Sequence, residues 1–208
     1  LPQFTADQST LYFTRVDKGQ EDIYFTVSDG NRYSEPKPFD VVHAERKNDG
    51  AHTISADGNQ FFFTLCDDKT GVGGCDIYFT NRENGKWKKP KNLSGRINSI
   101  LWESQPSLSG DGKTLFFSST RDGGVGGKDI WYCKLDSLGV WSNPINVGPM
   151  INTIGNESSP FIHPDLQTLY FRSDEHLGMG SFDIFLSRKE INDEWGVPLN
   201  LGYPINTD

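Results

Sequence analysis

Nothing in this 208-residue chain is apolar for long enough to cross a membrane as a helix, and nowhere do apolar residues recur at helical spacing. A helical fold and a helical membrane span are both excluded. No charged-then-apolar leader opens the chain: Leu1-Pro2-Gln3 leads straight into an expected first strand. Basic charge is scarce. Twenty Lys and Arg face 28 Asp and Glu for a net charge of −8, with no Lys/Arg-rich block, which argues against nucleic acid or an anionic membrane surface as partner. Histidine is rarer still, and no two of His43, His52, His163 and His176 have metal-ligand spacing. The three cysteines form no zinc pattern. A G-x-S-x-G elbow, a P-loop and a dinucleotide fingerprint are all missing, so no cofactor is expected. Catalytic groups can still converge from different parts of a repeat fold, so these absences weigh against an enzyme without excluding one.

What the chain has in quantity is turn chemistry. The stretch 103–147 contains four β-rich runs, 105–109, 114–118, 129–134 and 141–147, separated by clusters of Gly, Asp and Asn. Its plan recurs. Pro36, Pro90, Pro144 and Pro198 stand 54 residues apart, and Tyr33, Trp87, Trp141 and Trp195 precede each of them by three. Asp7, Asp57, Asp111 and Asp165 mark the first turn of each repeat, Asp22-Ile23, Asp76-Ile77, Asp129-Ile130 and Asp183-Ile184 the third strand, and Ile97-Asn98, Ile151-Asn152 and Ile205-Asn206 the close. Four strands repeated at about this period is the pattern of a β-propeller blade.

The expected fold is therefore all-β: a single β-propeller domain of four-stranded antiparallel blades, with units at 1–48, 49–102, 103–156 and 157–208. In unit one the strands are expected at about 3–6, 10–14, 22–27 and 33–42. The run Phe61-Phe62-Phe63-Thr64 is too apolar for a one-sided sheet and suits a blade packed on both faces. The repeated Trp before each fourth strand is a candidate cover for the seam between blades. The units share one frame with no strand left over for closing a ring, and the last residues, to Asp208, read as a lead into a further unit, so a longer propeller with further blades and flanking domains is expected.

Three sets of residues are candidates for chemistry. Cys66 and Cys75 flank the loop between the second and third strands of unit two, where antiparallel pairing brings two Cβ atoms within disulfide reach. A bond there suits an oxidising compartment; two reduced thiols are the alternative. Cys133, inside a third strand, is expected buried and free. The loops DDKTGVGGCD, RDGGVGGKD and DEHLGMGSFD combine Asp with Gly. Oxygen-rich loops of this kind can hold Ca²⁺, but glycine turns capped by Asp account for the recurrence without a metal. Asp49, Glu103 and Glu157, each 54 apart and each preceding a first strand, could line a channel mouth as an acidic ring for a cation or basic peptide, with Trp102 beside them. The alternative is that each acid bonds backbone amides inside its own blade seam.

The turn-and-strand pattern P-x-x-S-x-D-G, then L-F-F-S, then D-I-W/Y resembles the WD40-like propeller repeats of the TolB type, over essentially the whole chain. The stretches WESQPSLSGDGKTLFFSS, GGVGGKDIW, NESSPFIHPDLQTLYF and PLNLGYPIN are similar to the propeller of OmpA-family envelope proteins of Bacteroidetes-type bacteria, the PorE-like group of the type IX secretion system. There the propeller lies between a helical-repeat segment and a peptidoglycan-binding OmpA-like domain. Unit one departs from the pattern, with Asp17-Lys18-Gly19-Gln20-Glu21 in place of a Gly-rich loop. The resemblance implies a non-enzymatic protein-interaction scaffold in the periplasm, associated with the outer membrane. Its partners would be envelope proteins, with peptidoglycan reached through a flanking domain. Two other functions stay open: a glycan- or peptidoglycan-binding module, and a glycoside hydrolase. The hydrolase would need two carboxylates in different environments, which acids equivalent by repeat do not offer.

Overall fold

The computed structural model describes residues 2–17, 19–42, 48–93 and 95–207. His43 lies outside them, as do Leu1, Lys18 and Asp208. The described chain is all-β. Blade 1 is built from β1 (Gln3–Phe4), β2 (Thr10–Asp17), β3 (Gln20–Val27) and β4 (Lys37–Pro38). Blade 2 holds β5 (Asp49–Ile54), β6 (Gln60–Cys66), β7 (Cys75–Glu83), β8 (Lys86–Trp87) and β9 (Lys91–Asn92). Blade 3 holds β10 (Glu103–Leu108), β11 (Thr114–Ser119), β12 (Asp129–Lys134) and β13 (Ile145–Asn146), and blade 4 holds β14 (Glu157–Ile162), β15 (Thr168–Ser173), β16 (Asp183–Arg188) and β17 (Leu199–Asn200). Each is an antiparallel meander in chain order; in blade 2, β8 and β9 both pair with β7.

Two compact units emerge, Leu1–Ser104 with blades 1 and 2 and Gln105–Asp208 with blades 3 and 4, the division falling inside β10. In the first, Tyr12, Phe39, Phe61, Phe63 and Tyr78 form an aromatic core. In the second, Phe116, Phe171 and Phe185 pack with Ile130, Ile151 and Ile162 in a mixed aromatic and aliphatic core. The central strands are buried on both faces, Phe61, Phe62 and Phe63 being almost wholly enclosed, as their unbroken apolar run requires.

The first turn of each blade is set by an aspartate. Asp7, Asp57, Asp111 and Asp165 each accept the backbone N–H two residues on, from Ser9, Asn59, Lys113 and Gln167. This is the side-chain mimicry of a turn that makes Asp recur there. Non-glycine residues adopt positive φ at Ala51, Gln105 and Ser159, one in the first strand of each of blades 2, 3 and 4 at the repeat spacing. At Ala51 and Ser159 the strand pairing shifts register, so a β-bulge is part of the repeat.

The fourth strands are shorter than the sequence suggests. Instead of runs such as 33–42 and 141–147, each fourth strand pairs twice with a break between. Tyr33, Trp87, Trp141 and Trp195 pair opposite the end of the third strand, and a two-residue strand follows after the proline. Pro36, Pro90, Pro144 and Pro198 cause the break, because proline has no N–H to give the ladder.

Where the short fourth strand gives out, a carboxamide takes over. Asn152 Oδ1 accepts the N–H of Ile130 at 2.8 Å, and its Nδ2 donates to the Ile130 carbonyl and to Asn146 Oδ1, both at 2.9 Å. Asn98 does the same to Ile77 and Asn92, and Asn206 to Ile184 and Asn200. Asn152→Ala should lower stability by about 2–4 kcal/mol, since it strands the buried N–H of Ile130, whose carbonyl keeps the Val147 N–H, as well as losing its own bonds. Exposed Asn143→Ala should stay within about 0.5 kcal/mol of the parent. Urea midpoints of the two variants check this; equal midpoints would refute the role given to Asn152.

Candidate functional site

The Gly/Asp loops of blades 2, 3 and 4 are closed from within. In blade 3, Asp129 Oδ2 accepts the N–H of Val125 at 2.5 Å and Asn146 Nδ2 at 2.8 Å, while Oδ1 accepts the N–H of Gly126 at 3.1 Å. Asp76 takes the N–H groups of Val72 and Gly73 and Asn92 Nδ2 in the same way. Asp183 takes the N–H of Met179 and Asn200 Nδ2. The glycines serve close approach more than positive φ. A Cβ on Gly73 would run into the carbonyls of Ser99 and Leu101, and one on Gly126 into those of Thr153 and Gly155. The loops of blades 2 and 3 thus press on the segments that enter the next first strands. Among the described residues no three His, Cys, Asp or Glu side chains gather where they could hold a metal ion.

The loop tips carry apolar side chains into solvent. Ile100 is 81% exposed in the first unit; in the second, Ile154 is 78% and Leu177 95% exposed, with Val125 and Met179 also in the open.

Asp49, Glu103 and Glu157 are the first residues of β5, β10 and β14, and none has any exposed surface. The bulge in the first strand lies just beyond them. Glu157 accepts the Thr153 N–H and hydroxyl, both at 2.7 Å, and the Ser173 hydroxyl at 2.6 Å. Glu103 accepts the Ser99 N–H at 2.6 Å and its hydroxyl at 2.7 Å. Asp49 differs: it takes the Ile23 N–H at 2.7 Å, the bond that an Asn side chain makes in later blades. The sequence has Ala44 where Asn98, Asn152 and Asn206 recur, and the shorter acid supplies the missing acceptor. The acids therefore do two different jobs inside seams, and a cation or basic peptide could reach them only by displacing these bonds. Trp102 is half-buried and bridges to Cys75 through backbone.

Cys66 and Cys75 are paired in register on β6 and β7 and joined by a disulfide. Cys133 is free and buried, and burial pushes its thiol up to about 12. His52 is enclosed against Phe61, rings parallel and 5.4 Å apart, and burial holds its imidazole down at about 3.

The second unit contains a cavity of about 520 Å³ between blades 3 and 4, walled by Phe116, Tyr132, Val147, Ile162 and Trp195 and rimmed by charged residues including Lys134, Lys189 and Asp193. Its size is that of a small-ligand pocket. Sequence reasoning placed Trp195 at a seam but missed the cavity. The signal was available in the small residue, Val147, standing where unit one has Phe39.

No family model matches the chain, and no curated protein matches it. Solved structures do. The chain is similar to TolB from Acinetobacter baumannii, with 16% identity and a TM-score of 0.64, over 96% of this chain and 42% of that one. It is similar to a candidate TolB from Agrobacterium tumefaciens, with 20% identity and a TM-score of 0.60, over 96% of this chain and 63% of that one. A chain of a nidogen/laminin complex matches at 13% identity and a TM-score of 0.59, over 93% of this chain and 60% of that one. Peptidases occur among the similar structures as well. The chain spans less than two thirds of each of the three. At these identities the likeness establishes the fold: this is a β-propeller of the kind seen in TolB-type proteins.

Two outcomes are expected of the titratable and redox groups. Cys66→Ser with Cys75→Ser should cost roughly 2–3 kcal/mol, as loss of a cross-link closing so short a loop does in the chain-entropy model. In the native oxidised protein iodoacetamide should label none of the three cysteines, which mass spectrometry reads directly; labelled Cys66 and Cys75 would refute the bond. Below about pH 6.5 the unfolded chain takes up a proton on His52 that the folded chain refuses, so stability falls as pH drops from there toward 3, by up to about 1.4 kcal/mol per pH unit. His52→Phe should flatten that fall; parallel stability–pH curves for the two proteins would show the imidazole is not responsible.

Proposed function

We propose that this chain is a non-enzymatic, protein-binding propeller of a bacterial cell envelope. The observation that carries the reading is the contrast between spent acids and bare loop tips. The repeated carboxylates Asp76, Asp129, Asp183, Glu103 and Glu157 are all committed to hydrogen bonds that build the blades. A buried acid so engaged is a poor proton donor or nucleophile for a substrate in solution. Ile100, Ile154 and Leu177, by contrast, stand exposed on loops that the glycine contacts hold in place. Apolar side chains fixed at a loop surface suit a protein partner.

The Cys66–Cys75 disulfide supports an oxidising compartment, which in a bacterium is the periplasm or the exterior. The motif resemblance to OmpA-family envelope proteins supports placement near the outer membrane and, through a flanking domain, near peptidoglycan, as part of a secretion assembly. A chain of a nidogen/laminin complex, similar in fold, sits in a protein assembly, which supports the same reading.

Cross-linking of the tagged protein in intact envelopes with a membrane-impermeant lysine reagent, followed by mass spectrometry, tests the reading. Defined protein cross-links are expected, and Ile154→Asp with Leu177→Asp should lose them while leaving the melting temperature within a few degrees. Cross-links indifferent to both substitutions, or reproducible turnover of a glycoside, peptide or ester abolished by Glu103→Gln in a folded protein, would overturn it.

A further inference from the structure

The two compact units close their inner blade seams differently, and equivalent backbone bonds show where. Phe39 donates its N–H to the Ile23 carbonyl at 2.8 Å, and Val147, two repeats later, to that of Ile130 at 3.2 Å. In the first unit the Phe39 ring fills the seam. It is 4% exposed and meets Phe61 at 5.0 Å, Tyr12 at 5.3 Å, Trp87 at 5.5 Å and Phe25 at 6.1 Å between centroids. In the second unit most of those partners have counterparts: Phe116 for Tyr12, Tyr132 for Phe25, Trp195 for Trp87. The central ring does not. Val147 replaces Phe39, Leu169 replaces Phe61, and the cavity of about 520 Å³ opens against Val147. An aromatic cage built to surround a ring is present without its ring.

The rim of the cavity is polar and of mixed sign. The Lys189 ammonium lies over Trp195 at 5.5 Å and bonds Asp193 at 2.6 Å, and that of Lys134 lies over Tyr132 at 5.8 Å. Such a mouth offers donors and acceptors to peptide groups and favours no net charge. Met150 and Leu166 line it as well and are exposed.

We propose that this seam is the seat of an aromatic side chain from a partner protein, entering where Phe39 closes the first unit, with its flanking peptide bonds met at the rim by Lys134 and Asp193. The assignment rests on reading the chain as a protein-binding propeller and names the site for that partner's anchor. Deep, desolvated aromatic pockets are where single anchor residues contribute most to protein association.

Titration of the whole chain with N-acetylphenylalaninamide, followed by the Trp195 indole signal in NMR, tests the seat directly. Saturable shifts are expected with this probe and none with N-acetylalaninamide. Val147→Phe, which supplies the ring from inside, should weaken probe binding by at least about tenfold while keeping or raising the melting temperature. Should Val147→Phe fail to fold, Val147→Leu fills part of the space and should weaken the probe by a smaller factor. Absence of saturable shifts, binding undiminished in the folded variants, or saturation by N-acetylglucosamine in place of the amide would overturn the proposal. The two readings fail separately. Envelope cross-links that persist while the probe does not bind remove only the seat, and a bound probe without any protein cross-link removes only the scaffold.

Discussion

The third strand of each later blade depends on a side chain to finish its ladder. A four-stranded blade whose fourth strand is broken by proline leaves the N–H of a third-strand isoleucine without a strand partner, although its carbonyl keeps one. Water cannot reach Ile77 or Ile130, both fully buried, so the bonds must come from protein. Asn98, Asn152 and Asn206 answer with a carboxamide, which carries one acceptor and two donors and so reproduces both edges of a strand residue. Because each asparagine also bonds the short fourth strand, the segment that leaves the blade is tied to the blade just completed, and within the second unit Asn152 ties the segment entering blade 4 to blade 3.

Negative charge follows the same logic. The closing aspartates of the glycine loops and the acids that open the first strands lie inside the fold with backbone N–H groups for partners. Bonds from N–H groups to carboxylate oxygens are stronger than those between neutral groups. Much of an acidic composition is thereby structural, and the net charge of −8 overstates how acidic the surface is. Asp49 shows that position in the repeat does not fix the role. With Ala44 in the sequence where a carboxamide would stand, an aspartate at the start of the next strand reaches back to Ile23.

The repeat made the blades legible: evenly spaced Pro and Trp, the turn aspartates and the Asp-Ile pairs each mark a backbone feature that the structure contains. The disulfide was legible because hairpin pairing fixes Cys66 opposite Cys75. Other features were hidden for physical reasons. The fourth strands looked long because their residues are β-formers, whereas the ladder depends on an N–H that proline lacks. For Asp49, Glu103 and Glu157 the sequence left two readings open, an acidic ring or bonds to backbone amides in the seam, because a carboxylate in sequence carries no mark of whether its partner is water or a peptide group; the bonds to backbone N–H groups are what the structure contains. The cavity went unread because Val147 is ordinary taken alone; only comparison with Phe39, two repeats earlier, marks the missing volume.

A repeated frame also tells where specificity can enter. Positions that build the blade, such as Asn98 and Asn152, cannot vary without stranding buried peptide groups. Positions that only fill seams are held by volume, and volume can be supplied by either side of an interface. In the first unit Phe39 and Phe61 fill the seam from within, and the ring contacts stabilise packing. In the second the same surroundings persist around smaller residues, at the cost of the dispersion contacts a ring would make. The loss is bearable because polar bonds across the seam, from the N–H groups of Ser159 and Ile162 to Gln105 Oε1 and Ser107 Oγ, hold blades 3 and 4 together without it. A scaffold whose joints are polar and directional can leave an apolar seam partly open, and an open apolar seam between rigid blades is a preorganised recess.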